Sequence, residues 1–129
     1  MSISKEKRKQ VYNKYEGRCA YCGMPIEYKD MQVDHFIPKD KEKLIIVGKY
    51  PNITNIDDIE NLMPSCRMCN HYKRAHSLAV FRRYIREIPK KLRDNYIYKV
   101  GVRYKLIEET EHPIHFYFEQ YEKEHKDDS

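Results

Sequence analysis

Two cysteine pairs restrict this chain more than any other feature: Cys19 and Cys22 in CAYC, and Cys66 and Cys69 in CRMC. They are all of its cysteines. A CxxC turn presents two sulfurs to one side, and two such turns make the tetrahedral thiolate set that Zn2+ prefers. The 43 residues from 23 to 65 lie between the pairs, more than the ~15–20 of a compact ribbon. A folded insert must therefore sit inside the clamp. A redox dithiol needs only one pair. A disulfide framework requires secretion, and the start MSISKEKRKQ has no apolar signal core. A two-Cys two-His finger fails as well, because His71 and His76 follow Cys69 too closely for the ~12-residue spacing it needs. The expected setting is a reducing cytoplasm.

Charge narrows the function further. The chain has 129 residues, 35% of them charged, with a formal net charge of +5. Average globular proteins carry about 25% charged residues. Residues 70–93 hold Lys73, Arg74, Arg82, Arg83, Arg86, Lys90, Lys91 and Arg93 against Glu87 alone, whereas the charged residues of 106–129 are acidic except Lys123 and Lys126. A basic middle beside an acidic end suits a face for a polyanion; a solvated helix face is the plainer alternative. No run approaches ~18 consecutive apolar residues, so no membrane span is expected. The core must be economical: tryptophan is absent and 12 tyrosines supply rings that pack while keeping a hydroxyl wet.

Residues 4–16 read as a helix, with Ser4 as cap, Val11 and Tyr15 one turn apart and Gly17 as a stop. A turn follows at RCAYCGMP. MQVDHFIP reads as a short strand ending at Pro38. KLIIVGKYP is a buried strand or a packed loop, and its pattern does not decide. TNIDDIENL reads as a helical turn capped near Thr54 or Asn55. Helical spacing begins at Asn70 and links Leu78, Phe81, Ile85 and Ile88, and Pro89 starts another helix with Leu92 and Tyr96 on one side. PIHFYFEQY alternates Ile114, Phe116 and Phe118 with polar positions, a strand signal.

Inside the clamp, VDHFIP places Asp34 beside His35 and ENLMP carries Asn61; Asn70 follows Cys69 directly, with Lys73 one turn on. Each alone has a plain reading as a cap, a turn or a core residue. In order, CAYC, VDHFIP and NLMPSCRMCNHYK resemble the HNH endonuclease family, in the form whose CxxC pairs flank the motif. The resemblance covers about residues 17–76; FRRYI and IHFYFE are similar, more faintly, to extensions of phage and bacterial HNH proteins. It implies an α+β fold: a small ββα-metal (HNH, His-Me finger) core stabilised by the four-cysteine zinc site. An N-terminal helix and a helical and strand C-terminal extension would flank it. One domain over 1–129 is expected, with an arm at 1–18, the core at 19–76 and the extension at 77–129. Asp34 and His35 would end the first strand, Asn61 would lie in the connecting stretch, and Asn70 would open the helix.

The resemblance also implies the chemistry, metal-dependent hydrolysis of DNA phosphodiester bonds. His35 would be the general base, Asp34 and Asn70 the ligands of a catalytic divalent ion, and Asn61 the residue that keeps the base oriented through loop hydrogen bonds. These residue types suit hydrolysis, because histidine accepts a proton near neutral pH and a divalent ion acts as a Lewis acid on phosphate oxygens. The family's last histidine is Asn70 here, and an Asp–Asn oxygen pair favours Mg2+ or Mn2+. Two unlike metals are expected, structural Zn2+ on Cys19, Cys22, Cys66 and Cys69, and a harder ion on Asp34 and Asn70. Lys73, Arg74 and Arg82 are expected to contact the phosphates of double-stranded DNA. Cutting both strands would take a homodimer or two visits. His71 and His76 are expected on the basic face, and Asp57, Asp58 and Glu60 at the surface. The rivals are a zinc-stabilised nucleic-acid-binding module and an adaptor without catalysis. An adaptor would need the cysteines but not the Asp34, His35 and Asn70 set.

Overall fold

The computed structural model describes residues 3–126. Helix α1 (Lys5–Lys14) starts where Ser4 Oγ accepts the Lys7 N–H at 3.2 Å, and it buries Val11. Strand β1 (Gln32–His35) pairs antiparallel with β2 (Leu62–Ser65), in the register Gln32–Ser65, Val33–Pro64, Asp34–Met63 and His35–Leu62. All four residues of β2 are buried, so both faces of that strand are covered, whereas in β1 only Asp34 is buried. Helix α3 (Arg67–Lys73) follows β2 at once, with Cys66 as its cap. The expected two strands and a helix are therefore present. Asn70 does not open the helix; Cys66 caps it, four positions earlier, because its Sγ takes the Cys69 N–H at 3.4 Å.

Between the strands, α2 (Glu42–Ile46) gives KLIIVGKYP a short helix rather than a strand, and it buries Ile45. A single 3-10 turn over Ile59–Asn61 stands where the helical turn was expected, capped by Asp58 instead of Thr54 or Asn55.

The segment IHFYFEQY is not a strand. It enters α7 (Tyr117–Glu124) with Phe116 as the cap residue, and Glu119 Oε1 accepts the Phe116 N–H at 2.9 Å. The alternation has another cause. Phe116 and Phe118 are both buried, flanking the first residue of the helix, and both rings meet Tyr21, at 5.6 and 6.1 Å between centroids. Tyr15 packs edge-on against Tyr121 at 5.2 Å. Edge-to-face aromatic pairs of this kind add about 0.5–1.5 kcal/mol each beyond burial. Backbone bonds fix the same contact: Tyr117 N–H donates to Tyr21 O at 3.1 Å and Phe118 N–H to Ala20 O at 2.7 Å.

The chain divides into two compact units. One contains the described residues up to Leu78 and from His115 onward; the other is Ala79–Ile114. The second comprises most of α4 (Leu78–Arg86), then α5 (Ile88–Leu92) and α6 (Tyr96–Arg103). Pro89 sits in the first turn of α5 and Asn95 caps α6 through Tyr98 N–H at 2.9 Å. Leu92 and Tyr96, expected on one helix face, fall on separate helices and are exposed. Arg93 grips Glu109 with Nε and Nη2, the closest contact being 2.8 Å. No helix among the described residues is long and apolar enough to cross a membrane.

Candidate metal centre and active site

The cysteine turns meet at one point. The four sulfurs lie within 4.8 Å of one another, and Cys22 Sγ is 3.8 Å from Cys66 Sγ. A tetrahedral ion with ~2.3 Å bonds to sulfur sets its ligands about 3.8 Å apart, so the cluster fits zinc. Local structure explains the convergence. Gly23 takes φ +78°, which closes the first turn, and a Cβ there would come within 3.0 Å of Tyr117. Cys19 N–H bonds Met24 O at 2.9 Å, and Ala20 N–H bonds Pro64 O at 2.8 Å, which docks the first turn on β2. The thiols are unequal. A hydrogen bond from Cys69 and backbone N–H groups draw Cys19 down to about 4, whereas burial pushes Cys22 up to about 11. Metal binding at such a cluster displaces the remaining thiol protons. Among the described residues, no other group of three or more His, Cys, Asp or Glu could hold a metal.

Asp34 and His35 are neighbours on β1, so their side chains leave opposite faces. Asp34 is 7% exposed. Its Oδ2 lies 2.9 Å from Lys73 Nζ and accepts a hydrogen bond from the Tyr21 hydroxyl. Lys73 is wholly buried, with its ammonium 6.0 Å above the Tyr21 ring. This corrects the expectation that Lys73 contacts DNA phosphate: its charge is spent on Asp34 inside the core. The contact is close but poorly directed, and Nζ makes no hydrogen bond of good geometry. Burial and the adjacent Asp34 carboxylate raise the Tyr21 hydroxyl well above the ordinary tyrosine range. Asn70 lies one turn before Lys73 on α3, hence on a similar helix face, and α3 packs on β1.

These residues offer a hard ion one carboxylate and one amide oxygen. Mg2+ is often held by one or two carboxylates plus substrate phosphates, so the donor set fits, with Lys73 competing for the Asp34 charge.

His35 is met from the other side. Its Nε2 is 2.8 Å from Asp57 Oδ1, and the two side chains are 15% and 26% exposed. The hydrogen bond from His35 holds the Asp57 carboxyl below its usual range. Asn61 is fully buried. Its Oδ1 accepts the Ile37 N–H at 2.7 Å, and Nδ2 donates to Ile37 O at 3.2 Å and Ile56 O at 2.7 Å. It thus stitches the chain just past His35 to the loop that carries Asp57. Helix α1 braces that loop: Lys7 Nζ donates to Asp57 O at 2.5 Å, and Lys14 Nζ to Ile59 O and Leu62 O at 2.9 and 3.0 Å.

Of the remaining expected contacts, Arg74 is exposed at the end of α3 with φ 54°. Arg82 lies on α4 in the other unit, where Nη1 donates to Ile114 O at 2.5 Å. His71 is exposed and His76 half-buried. Asp58 is consumed by its own turn, accepting from Thr54 N–H and Oγ1 at 2.8 Å each and from Glu60 N–H at 3.0 Å. The contact of Asp57 with His35 and the core position of Lys73 are what the sequence conceals. No spacing rule ties residue 57 to residue 35 or residue 73 to residue 34.

Residues 19–76 match the family model described as HNH endonuclease. The resemblance carried by the motifs thus holds over the four-cysteine core. The chain is also similar to the Septu protein PtuB of Bacillus thuringiensis, 39% identical over 61 residues, which are 46% of this chain and 20% of that relative. The chain therefore spans about a fifth of that relative's length. Among solved structures it is similar to the Type II-C Cas9 enzyme from Actinomyces naeslundii, at 24% identity and a TM-score of 0.48, over 66% of this chain and 9% of that one.

Proposed function

We propose that this chain, whose residues 19–76 are of the HNH endonuclease type, hydrolyses DNA phosphodiester bonds in a metal-dependent reaction. One observation carries the reading. Asp34 and His35 end β1 beside Asn61 and α3, on a ribbon and helix that the cysteine cluster ties together. An adaptor would need the cluster, but not a histidine ring held by a carboxylate at the strand end.

In the proposed reaction, His35 takes a proton from water as the water oxygen bonds to phosphorus. The bond from phosphorus to the O3′ oxygen breaks, and that oxygen gains a proton from solvent. By family analogy the products are a 5′-phosphate and a 3′-hydroxyl. Asp34 and Asn70 would hold the divalent ion, Mg2+ or Mn2+, which when bound withdraws charge from the phosphate and leaving oxygens. Asn61 keeps the chain after His35 in register, and Cys19, Cys22, Cys66 and Cys69 hold structural Zn2+. Arg74 and Arg82 would each bind DNA phosphate through the guanidinium charge. Such contacts give affinity and salt dependence rather than sequence choice. The proposed setting is the cytoplasm of a bacterium or of a phage-infected cell. A double-strand break takes two copies or two visits.

The second reading, a zinc-stabilised nucleic-acid-binding module without catalysis, draws on Lys73, which already neutralises Asp34. One experiment separates them. Purified protein is incubated with supercoiled plasmid and Mg2+ beside His35→Ala. General-base catalysis contributes about 10^2–10^4-fold, so the variant should lose cutting by at least the lower factor while keeping its zinc. Equal cutting by the two proteins, or none by either, overturns the nuclease reading.

A further inference from the structure

We propose that Asp57 is the positioning residue for His35: its carboxylate takes the Nε2–H and leaves the Nδ1 lone pair for the attacking water. The inference rests on His35 being the base of the proposed reaction, and it adds a residue from outside the HNH motif positions.

Geometry selects the tautomer. A carboxylate only accepts hydrogen bonds. With Asp57 Oδ1 2.8 Å from Nε2, that nitrogen carries the hydrogen in the neutral ring, and Nδ1 is the basic atom. Without a partner, a neutral imidazole divides between two tautomers and turns about its side-chain bonds. A base in the wrong tautomer presents N–H where a lone pair is needed.

Asp57 is built to hold its position. Its own N–H bonds Asn55 Oδ1 at 3.0 Å and its carbonyl accepts from Lys7 of α1. Of the three acids in this loop, Asp58 is occupied by Thr54 and Glu60, and Glu60 itself is exposed. Asp57 alone of the three meets the ring. Asn61 then joins the two chain segments that bear the partners, through Ile37 and Ile56. The pair is therefore held in the backbone on both sides.

The test uses the full chain loaded with zinc, and reads the ring nitrogens of His35 by 15N NMR at a pH where the ring is neutral. Wild type is expected to show Nε2–H alone, and Asp57→Ala a mixture with Nδ1–H. In single-turnover plasmid cleavage, Asp57→Ala should lose about 10–100-fold in the chemical step, the usual cost of removing a partner that orients a histidine. KM should stay within about twofold. Asp57→Asn keeps the shape and an accepting oxygen, so it should retain most of the Nε2–H form. It serves as the second variant if the alanine chain folds poorly, with zinc content as the check.

A wild-type ring protonated on Nδ1, an unchanged tautomer in the alanine variant, or a loss confined to KM would overturn the assignment. The two readings fail separately. If the tautomer shifts but wild type cuts nothing, Asp57 still positions the ring and the nuclease reading falls. If His35→Ala is dead and Asp57→Ala cuts like wild type, the nuclease reading stands and the positioning falls.

Discussion

Asp34 and His35 are consecutive residues with opposite surroundings, and each belongs to a pair of carboxylate and cationic or basic group. On one face the strand supplies the carboxylate and α3 the cation, Lys73, which is fully buried. On the other the strand supplies the histidine and a loop the carboxylate, and both partners reach solvent. The first pair stands inside the core. The second stands at its edge. Removing one partner of a buried pair leaves an uncompensated charge and costs about 3–5 kcal/mol. An edge pair is worth about 1 kcal/mol or less. A motif two residues long thus joins a structural position to an adjustable one.

Losing the metal should erase that contrast altogether. Structural zinc contributes an apparent ~10–16 kcal/mol in small zinc domains. Chelation, or Cys66→Ser with its loss of bound zinc, should abolish the cooperative thermal transition and free both pairs. A transition that survives at the same temperature without zinc would mean the two faces stand without the clamp.

Next in size is the difference between the faces. Lys73→Met should cost about 3–5 kcal/mol in urea unfolding, and adding Asp34→Asn should recover most of it. Asp57→Ala should cost about 1 kcal/mol or less. Equal losses at the two pairs would break the comparison. A bound hard ion should also restore part of the stability of Lys73→Met, because binding to the native state alone stabilises it. Its thermal midpoint should therefore respond to millimolar Mg2+ more than that of wild type.

The smallest effect separates the faces by pH. The Asp57 carboxyl is depressed by its hydrogen bond to His35, and that of Asp58 by the Thr54 backbone. Their contribution is present above the usual carboxylate range and fades as pH falls through the depressed native values. Tyr21 is shifted the other way, chiefly by burial and then by Asp34. Its contribution is complete below the free tyrosine value of about 10 and fades as pH rises beyond it. Thermal midpoints measured across pH should decline at both ends. Asp57→Asn should flatten only the acid limb and Tyr21→Phe only the alkaline one.

Much of this arrangement is legible in the chain, for a physical reason. Each CxxC turn, the strand at VDH and the cap at Ser4 are local patterns, legible from a few neighbouring residues. Asn61 is readable through the resemblance of its motif to the family, whereas its burial and its bonds to Ile37 and Ile56 appear only in the fold. What escaped is long-range. Lys73 looks like any basic helix residue until Asp34 is found beneath it, 39 positions away by their numbers. Asp57 looks like a turn acid until His35 is found against it. The alternation at Phe116 and Phe118 mimics a strand because two buried rings can flank a helix cap as well as line a sheet. KLIIVGKYP became a helix because its apolar run is too short to decide between periods.

The contact between α7 and the first cysteine turn bears on when the core can be finished. Phe118 bonds Ala20, and the Tyr15 hydroxyl donates to Glu122 at 2.8 Å, across 107 positions of chain. Domains fold as they emerge during synthesis, at about 5–20 residues per second. Here the ring that closes over Tyr21 leaves the ribosome some 50 residues after the last cysteine of the cluster, by the positions of Cys69 and Phe118. All four sulfurs are thus on the nascent chain several seconds before the aromatic cover arrives, by the same rate. A metal bound by them would come first in this order of events, while completion of the core waits for the returning helix.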